Sequence, residues 1–201
     1  EPWSGHVELF SELYEWLFPP MTYFVDKFCV VPTPITLIEL MRSSLRLLDC
    51  FMAEAQVAGV GSDVPRSIEG LFVLAIVWSV GACVDFEGRK KFDAFLRLML
   101  SGDPKEIENS TEYIDFKNKT PSYEDEVKRA SAFCPPPEAS VHDFKFACKS
   151  GTWSSWVEPG SRFSIPKGAQ FNSIVVPTVD TVRHEWLIER LLLQGFHVLC
   201  T

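Results

Sequence analysis

The 201-residue sequence lacks the signatures of most enzyme classes. It contains no G-x-x-x-x-G-K-[ST] phosphate-binding loop and no G-x-S-x-G nucleophile elbow. His184 and Glu185 would begin an H-E-x-x-H zinc motif, but Ile188 stands where the second histidine is required. No pair of carboxylates stands out as an acid and base couple. We therefore predict no catalytic residue, no metal site and no ATP hydrolysis by this chain alone.

The low number of basic residues, the spacing of the cysteines and the short apolar runs exclude further classes of protein. The 19 basic residues are outnumbered by 27 acidic ones, which argues against a nucleic-acid surface and against direct docking on an acidic polymer. No two of the six cysteines have metal-ligand spacing, so we expect reduced thiols in apolar surroundings. The longest nearly apolar run, residues 71–84, is too short for a bilayer span, and the sequence has no signal peptide. We expect a core helix and no membrane partner.

The first half of the chain has helical periodicity. Predicted helices cover residues 6–18, 34–58, 66–84 and 87–100. Pro19 and Pro20 are expected to end the first helix, and Thr33 with Pro34 to start the second. The third is apolar nearly all round, which predicts a central helix with Trp78 in its core. The inward-facing residues expected of the second and fourth helices are Ile38, Met41, Leu45, Leu48 and Met52, and Phe92, Phe95, Leu96 and Met99, respectively.

The middle of the chain is less regular. Residues 103–140 are polar and rich in proline, which predicts a surface connection with at most a short helix near residues 123–132. Strands at 141–148 and 152–157 are expected to form a hairpin. The residues expected to share one face of it are Phe144, Phe146 and Cys148. For the nearby Trp153 and Trp156, packing against the chain's own helices is favoured, and a contact with a partner is the alternative.

The last 28 residues read as strand, helix and strand. A β-branched run at residues 174–176 is broken by Pro177, and the helix that follows can be capped by Asp180 or Thr181. Gly195 is expected to end this helix, and residues 196–200 read as a buried strand. Such a strand usually leads into a βα turn, where backbone N–H groups and a helix N-terminus bind phosphate. The chain stops just short of that turn.

Three segments resemble the dynein heavy chains, in the order that the family has them. Residues 176–183, VPTVDTVR, are similar to the start of the third AAA+ module. Residues 71–82, LFVLAIVWSVGA, with 88–95, GRKKFDAF, resemble the helical lid that follows the second module. Residues 151–156, GTWSSW, are similar to a tryptophan-bearing segment between the two. The lid segments look more axonemal than cytoplasmic.

The resemblance implies a mainly α fold, a helical AAA+ lid bundle with a β-hairpin insertion and an incomplete α/β edge at the C-terminus. The implied domains are the lid at residues 1–102, a polar connection at 103–140, the hairpin insertion at 141–166 and the truncated start of the third module at 167–201. ATP or ADP would be the cofactor of the parent protein, with an incomplete site here. In the family the backbone beside the adenine corresponds to Ile174, Val175, Val176, Pro177 and Thr178. The alternative is that residues 174–176 are only a packing strand.

The implied function is structural and regulatory, the coupling of nucleotide state between adjacent AAA+ modules of an ATP-driven microtubule motor. The implied partners are the neighbouring modules of the same chain, and the microtubule would be reached only through distant parts of the parent protein. The implied location is the cytoplasm and cytoskeleton, with a ciliary or flagellar axoneme favoured. AAA+ lids often direct an arginine at the γ-phosphate, but neither Arg42 nor Arg46 is assigned that role. The alternative is a free-standing helical protein-interaction domain without a nucleotide role.

Overall fold

A computed structural model describes residues 2–123, 134–157, 176 and 178–198. These residues form seven α-helices and one antiparallel pair of strands, which confirms the predicted mainly α fold with a hairpin. The helices are α1 (Val7–Phe28), α2 (Leu37–Ala58), α3 (Val64–Ser79), α4 (Phe86–Ser101), α5 (Pro104–Asn109), α6 (Thr111–Lys119) and α7 (Val179–Leu193). Strands β1 (Phe144–Ala147) and β2 (Thr152–Ser155) lie between α6 and α7 in the chain.

Helix α3 is the centre of the bundle, as predicted. All residues from Gly70 to Ser79 are buried, and Trp78 is only 6% exposed. The neighbours of α3 include α1, α2 and β1. By length and composition Val64–Cys83 could cross a membrane, but 78% of its most apolar window is buried inside the fold. That degree of burial is typical of the core helix of a globular domain.

Helix α1 continues through Pro19 and Pro20, where the sequence predicted its end. A proline inside a helix leaves the carbonyl four residues earlier without its N–H donor. For Pro20 this carbonyl belongs to Trp16, and the hydroxyl of Tyr123 donates to it at 2.5 Å. A residue far along the chain thus satisfies the group that would otherwise have favoured ending the helix.

The predicted inward side of helix α2 is confirmed in part, because Leu48 is buried and Met41 and Met52 pack half-buried against the core. It begins at Leu37 with Thr36 as its cap, and Leu40, Leu47 and Phe51 are buried. Ile38 is 65% exposed, so it faces outward, contrary to prediction. Apolar residues occur on several sides of this helix, and its contacts with both α3 and α7 select the buried side. Leu45 is likewise exposed rather than inward, whereas the predicted stripe of α4, Phe92, Phe95, Leu96 and Met99, is buried as expected.

Residues 104–119 form two helices where a surface connection was predicted. Ile107, Tyr113 and Phe116 are buried, and α6 packs against α1. A hydrogen bond of 2.8 Å from the Tyr23 hydroxyl to the Asp115 carboxylate fixes α6 at this position. Most other side chains of these helices are polar, so the few buried residues gave too weak a periodicity to read. The short helix predicted at residues 123–132 falls almost wholly outside the described residues.

The hairpin is present, with shorter strands than predicted, and a 3₁₀ turn at Val141–Asp143 leads directly into β1. Below, the hairpin includes this turn. Phe146 pairs with Trp153 across the two strands, and Gly151 takes the left-handed conformation that closes the turn between them. The sheet lies so close to α3 that a Cβ atom on Gly70 would be 2.5 Å from the Phe146 ring. The predicted shared face is confirmed, because Phe144, Phe146 and Cys148 are all buried.

Candidate functional site

The predicted adenine-side segment ends at the start of α7. The structure describes Val176 and Thr178, whereas Ile174, Val175 and Pro177 lie outside the described residues. Thr178 caps α7 in a reciprocal box: its hydroxyl accepts from the Thr181 N–H at 3.2 Å, and its own N–H donates to the Thr181 hydroxyl at 2.7 Å. The predicted caps, Asp180 and Thr181, are therefore wrong, because both already belong to the first helical turn.

The described part of this segment offers an apolar surface for an adenine ring but no free N–H group at Thr178. The exposed fraction of Val176 is 57% and that of Val179 is 40%, so two apolar side chains are open beside the helix start. A flat base packs against such a wall. The Thr178 N–H is already used in the capping box, so a base edge would have to bond to the backbone of the preceding residues. The assignment of residues 174–178 stays a prediction.

Helix α7 packs on the helical bundle through aromatic and apolar side chains. Leu187 is buried. The Trp186 ring lies 5.3 Å from the Phe51 ring of α2 and 5.2 Å from the Trp156 ring that follows β2. Contacts to both a helix and the hairpin fix α7 on two sides. The continuation of the chain after α7 at residues 196–198 is irregular and not the predicted strand, and residues 199–201 lie outside the described part.

Arg183 of α7 is a buried charge between the hairpin and α3. Its guanidinium donates to the His142 carbonyl at 3.4 Å and to the Asp143 carboxylate at 3.3 Å, and it also pairs with Asp180. It lies over the Trp78 ring, 5.4 Å from the ring centroid. A buried cation needs this combination of acceptors and an aromatic face to offset its lost hydration.

His142 shares that region and is almost fully buried. Its Nε2 lies 3.1 Å from the Gly81 carbonyl, and its Nδ1 lies 3.2 Å from the Ser140 hydroxyl. Burial lowers the pKa of His142 to about 4, and the nearby positive charges of Arg89 and Arg183 act in the same direction. The imidazole is therefore neutral at physiological pH. Its role here is structural, because a ring enclosed in this way has little access to solvent.

A cavity of about 650 Å³ opens between α2, the start of α4 and the end of α7. Three arginines line it, Arg42, Arg46 and Arg89. Glu39 is its only lining carboxylate among the described residues, and that group is already bonded to Thr36 at the cap of α2. Three guanidinium groups facing one occupied carboxylate make the cavity suitable for a polyanion.

The sequence prediction had missed Arg89. It lies in the first turn of α4, directly after Gly88, whose N–H donates to the carboxylate of the cap residue Asp85. Its Nε is buried and has no hydrogen-bond partner among the described residues. Arg46 lies over the Phe196 ring, 5.4 Å from the centroid. In the sequence analysis, Gly88-Arg89 was used only as part of a segment that resembles the family. No local sequence pattern predicts that Arg89 lies near Arg42 or Arg46.

The remaining residues that the sequence analysis weighed are His184 and the two tryptophans near the hairpin. Burial, then the charge of Arg183, lowers the pKa of His184, which lines the arginine cavity. In the part of the chain that the structure describes, no three histidine, cysteine or acidic side chains form a group that could hold a metal. Trp156 is buried and donates from Nε1 to the His142 carbonyl at 3.0 Å, and Trp153 packs on Phe146. Both tryptophans therefore pack within the chain, the favoured interpretation.

Comparison with known proteins agrees with the family resemblance. Residues 10–158 match the family described as dynein heavy chain AAA lid domain, and residues 163–201 match the family described as P-loop containing dynein motor region. The boundary between the two matches falls between the hairpin and α7.

Similar proteins include several axonemal dynein heavy chains. Dynein axonemal heavy chain 3 of Homo sapiens is 28% identical over 93% of this chain, and dynein axonemal heavy chain 2 of Homo sapiens is 32% identical over 94%. Dynein axonemal heavy chain 12 of Mus musculus is 27% identical over 92%. The chain spans 4% of the length of the first two relatives and 6% of the third. Because the lid family matches residues 10–158, most of its length, this chain belongs to the dynein heavy chain family and contains its AAA lid domain.

Proposed function

We propose that this chain couples nucleotide state between two adjacent AAA+ modules of a dynein heavy chain, the second and the third. In this proposal residues 1–102 are the lid of the second module and α7 is the first helix of the third. The observation that carries it is the packing of α7 on both the lid and the hairpin, through Leu187, Trp186 and Arg183. A helix held on two sides in this way is displaced when the lid moves, and rigid-body motion of a domain is a common means of switching.

The arginine cavity is proposed as the phosphate-facing side of the second module's nucleotide. Guanidinium groups recognise phosphate through paired N–H donors, and Arg89 has a buried Nε without a partner among the described residues. Arg42 and Arg46 add positive charge from the neighbouring helix. ATP, when bound and hydrolysed in the parent protein, supplies the free energy for movement. In this proposal the arginines of this chain bind and orient the phosphates, beside the rings of Trp78 and Phe196 that also line the cavity.

The remaining parts of the proposal concern the partners and the location. The neighbouring modules of the same chain are the immediate partners, and the microtubule is contacted only through distant parts of the parent. The names of the relatives are those of axonemal dyneins, which favours a ciliary or flagellar axoneme as the location. Residues 174–178 would form the adenine side of the third module's site.

One experiment tests the adenine-side assignment in a longer piece of the parent chain that includes the complete third module. Val176→Asp places a carboxylate beside an anionic nucleotide, and we expect the affinity to fall at least tenfold in a fluorescent-nucleotide titration. Val57→Asp is the matched control, because Val57 is 90% exposed at the far end of α2 and its change should leave affinity within twofold. Unchanged affinity in folded Val176→Asp protein would remove residues 174–178 from the site.

A second experiment tests coupling directly. Nucleotide affinity of the third module is measured with the second module empty and then filled, in the same longer protein. We expect the two affinities to differ at least fivefold, the lower end of typical coupling energies. Equal affinities would contradict the coupling function. Absence of coupling, together with independent folding of the 201-residue chain, would favour the alternative of a free-standing helical interaction domain.

A further inference from the structure

We propose that Arg183 is the positioning residue that links α7 to the lid through the hairpin, so that the hairpin transmits nucleotide state between the modules. This inference rests on the proposed coupling function and adds the route by which the coupling passes. Four contacts support it. The hairpin contacts α4, α3 and Arg183, and Arg183 in turn contacts α3.

The first contact holds the entrance of the hairpin on α4. Arg97 donates to three backbone carbonyls, those of Pro135 at 2.6 Å, Pro136 at 3.0 Å and Ala139 at 2.8 Å. On the same helix Asp93 pairs with Arg97 and accepts the Val141 N–H at 2.7 Å. The chain that leads into the hairpin is therefore bonded to the lid along its backbone, and a movement of α4 displaces it.

The second contact places the ring of His142 inside the lid. Besides its bond to the Gly81 carbonyl, the ring packs edge-on against Trp78 at 5.7 Å and beside Phe92 at 5.9 Å. This buried side chain leaves its own backbone carbonyl pointing toward α7. Two donors meet at that carbonyl, Nε1 of Trp156 and the guanidinium of Arg183. The hairpin and α7 thus share one acceptor whose position the lid fixes.

The third and fourth contacts belong to Arg183 itself. Its side chain is only 8% exposed, and it joins Asp143 of the hairpin to Asp180 of its own helix while covering the Trp78 ring. Directional bonds of this kind are made or lost over small displacements, whereas apolar contacts tolerate sliding. A shift of α7 relative to the hairpin would break the bond to the His142 carbonyl before it separated Trp186 from its neighbours.

Arg190 on the same helix provides a matched control. It also lies over a tryptophan, 5.5 Å from the Trp186 ring centroid, and it also pairs with an acid, Glu54, at 3.5 Å. That acid belongs to α2 and not to the hairpin. The two arginines therefore share their chemistry and their helix, and they differ in whether the hairpin is the partner.

The test uses the full heavy chain, with Arg183→Met and Arg190→Met as the compared variants. The coupling factor is the ratio of third-module nucleotide affinity with the second module filled and empty. We expect Arg183→Met to lower this factor at least fivefold, toward one, and Arg190→Met to leave it within twofold. Hydrogen exchange of residues 141–157 should respond to nucleotide in the parent protein and in Arg190→Met but not in Arg183→Met.

Two further outcomes separate this inference from the proposed function. A coupling factor of one in the unaltered heavy chain would overturn the coupling function itself. A normal factor that survives Arg183→Met, or falls equally in Arg190→Met, would overturn only the route through the hairpin. Should Arg183→Met fail to fold, Arg183→Lys keeps the charge and the stem but loses the forked geometry. Its coupling factor is then expected to fall at least twofold, and an unchanged value contradicts the proposal.

Discussion

The interior of the lid and its junction with α7 are held together by different kinds of contact. From Gly70 to Ser79 every residue of α3 is buried, mostly among apolar side chains. Helix α7 has 15 residues, yet only Arg183 and Leu187 are buried. Arginines over aromatic rings recur at the junction, at Trp78, Trp186 and Phe196. The lid interior thus depends on buried area, and the junction on a few directed contacts.

This contrast fits a rigid lid interior next to a junction with α7 that responds to small displacements. Apolar burial is non-directional and grows with area, so a helix surrounded on all sides resists local change. Charge-assisted bonds depend on distance and angle, so a small shift can make or lose them. On this basis we expect substitutions in α3 to alter global stability and substitutions in α7 to alter coupling between sites.

Trp78 belongs to both regions, and its removal is expected to have the largest effect. Trp78→Ala leaves a cavity beside His142 and uncovers Arg183, so the free energy of unfolding should fall by about 3–5 kcal/mol. Urea denaturation of the 201-residue chain measures it. Trp78→Phe is the control, since the indole N–H has no hydrogen-bond partner among the described residues, and it should cost less than half as much. A loss below about 1 kcal/mol for Trp78→Ala would contradict its core position.

Acidification should weaken the region around His142. Because its pKa is about 4 when folded and about 6.5 when unfolded, the unfolded state binds more protons between these values. The stability due to the neutral ring is complete above pH 6.5 and is lost as the pH falls toward 4. Between pH 7.5 and 4.5 the loss should be about 2–3 kcal/mol, measured by urea denaturation. His142→Gln should remove this part of the pH dependence, and an equal slope in the variant would contradict the assignment.

The close packing of the hairpin on α3 can be tested with a single methyl group. A Cβ on Gly70 would lie 2.5 Å from the Phe146 ring, so Gly70→Ala should displace the hairpin and cost about 1–3 kcal/mol. Gly5→Ala is the control, because nothing lies within 4 Å of its added Cβ. Thermal unfolding and hydrogen exchange of residues 144–155 report the change. Equal stability of the two variants would mean that the hairpin does not press on α3.

The smallest effect is expected from the ion pair between Arg190 and Glu54. Burial raises the pKa of Glu54 despite the arginine 3.5 Å away, so the attraction does not outweigh the lost hydration. With side chains 21% and 29% exposed, Arg190→Met should change the free energy of unfolding by less than about 1 kcal/mol. A double-mutant cycle with Glu54→Gln measures the pair. A coupling above about 2 kcal/mol would show that directed contacts also stabilise the fold globally.

The sequence was most informative where structure depends on nearby residues. The all-round apolar α3, the inward stripe of α4 and the alternation of Phe144, Phe146 and Cys148 were all read correctly. In each case the residues that decide the element lie within one or two helical turns or along one strand. The stop of α7 just before Gly195, which has a positive φ, belongs to the same class.

The errors arose where a distant residue changed the local balance. The hydroxyl of Tyr123 donates to the Trp16 carbonyl that Pro20 leaves without a donor, so α1 continues. The contacts of α2 with α3 and α7 bury one side of that helix and leave Ile38 facing outward. The arginine cavity is of the same kind. Arg42 and Arg46 could be named as lid arginines, but Arg89 joins them only because the start of α4 lines the same cavity as α2 in the folded chain.

The resemblance of three short segments was therefore sufficient for the family. Composition and periodicity were sufficient for a mainly helical fold and the central position of α3, because these depend on local spacing and on which residues are apolar. Packing alone assembled the contacts of Arg183, whose acceptors His142 and Asp143 lie some 40 residues earlier in the chain. A buried guanidinium is stable only where acceptors from separate segments converge on it. Such convergence is a property of the folded chain, and no spacing within one segment of the sequence encodes it.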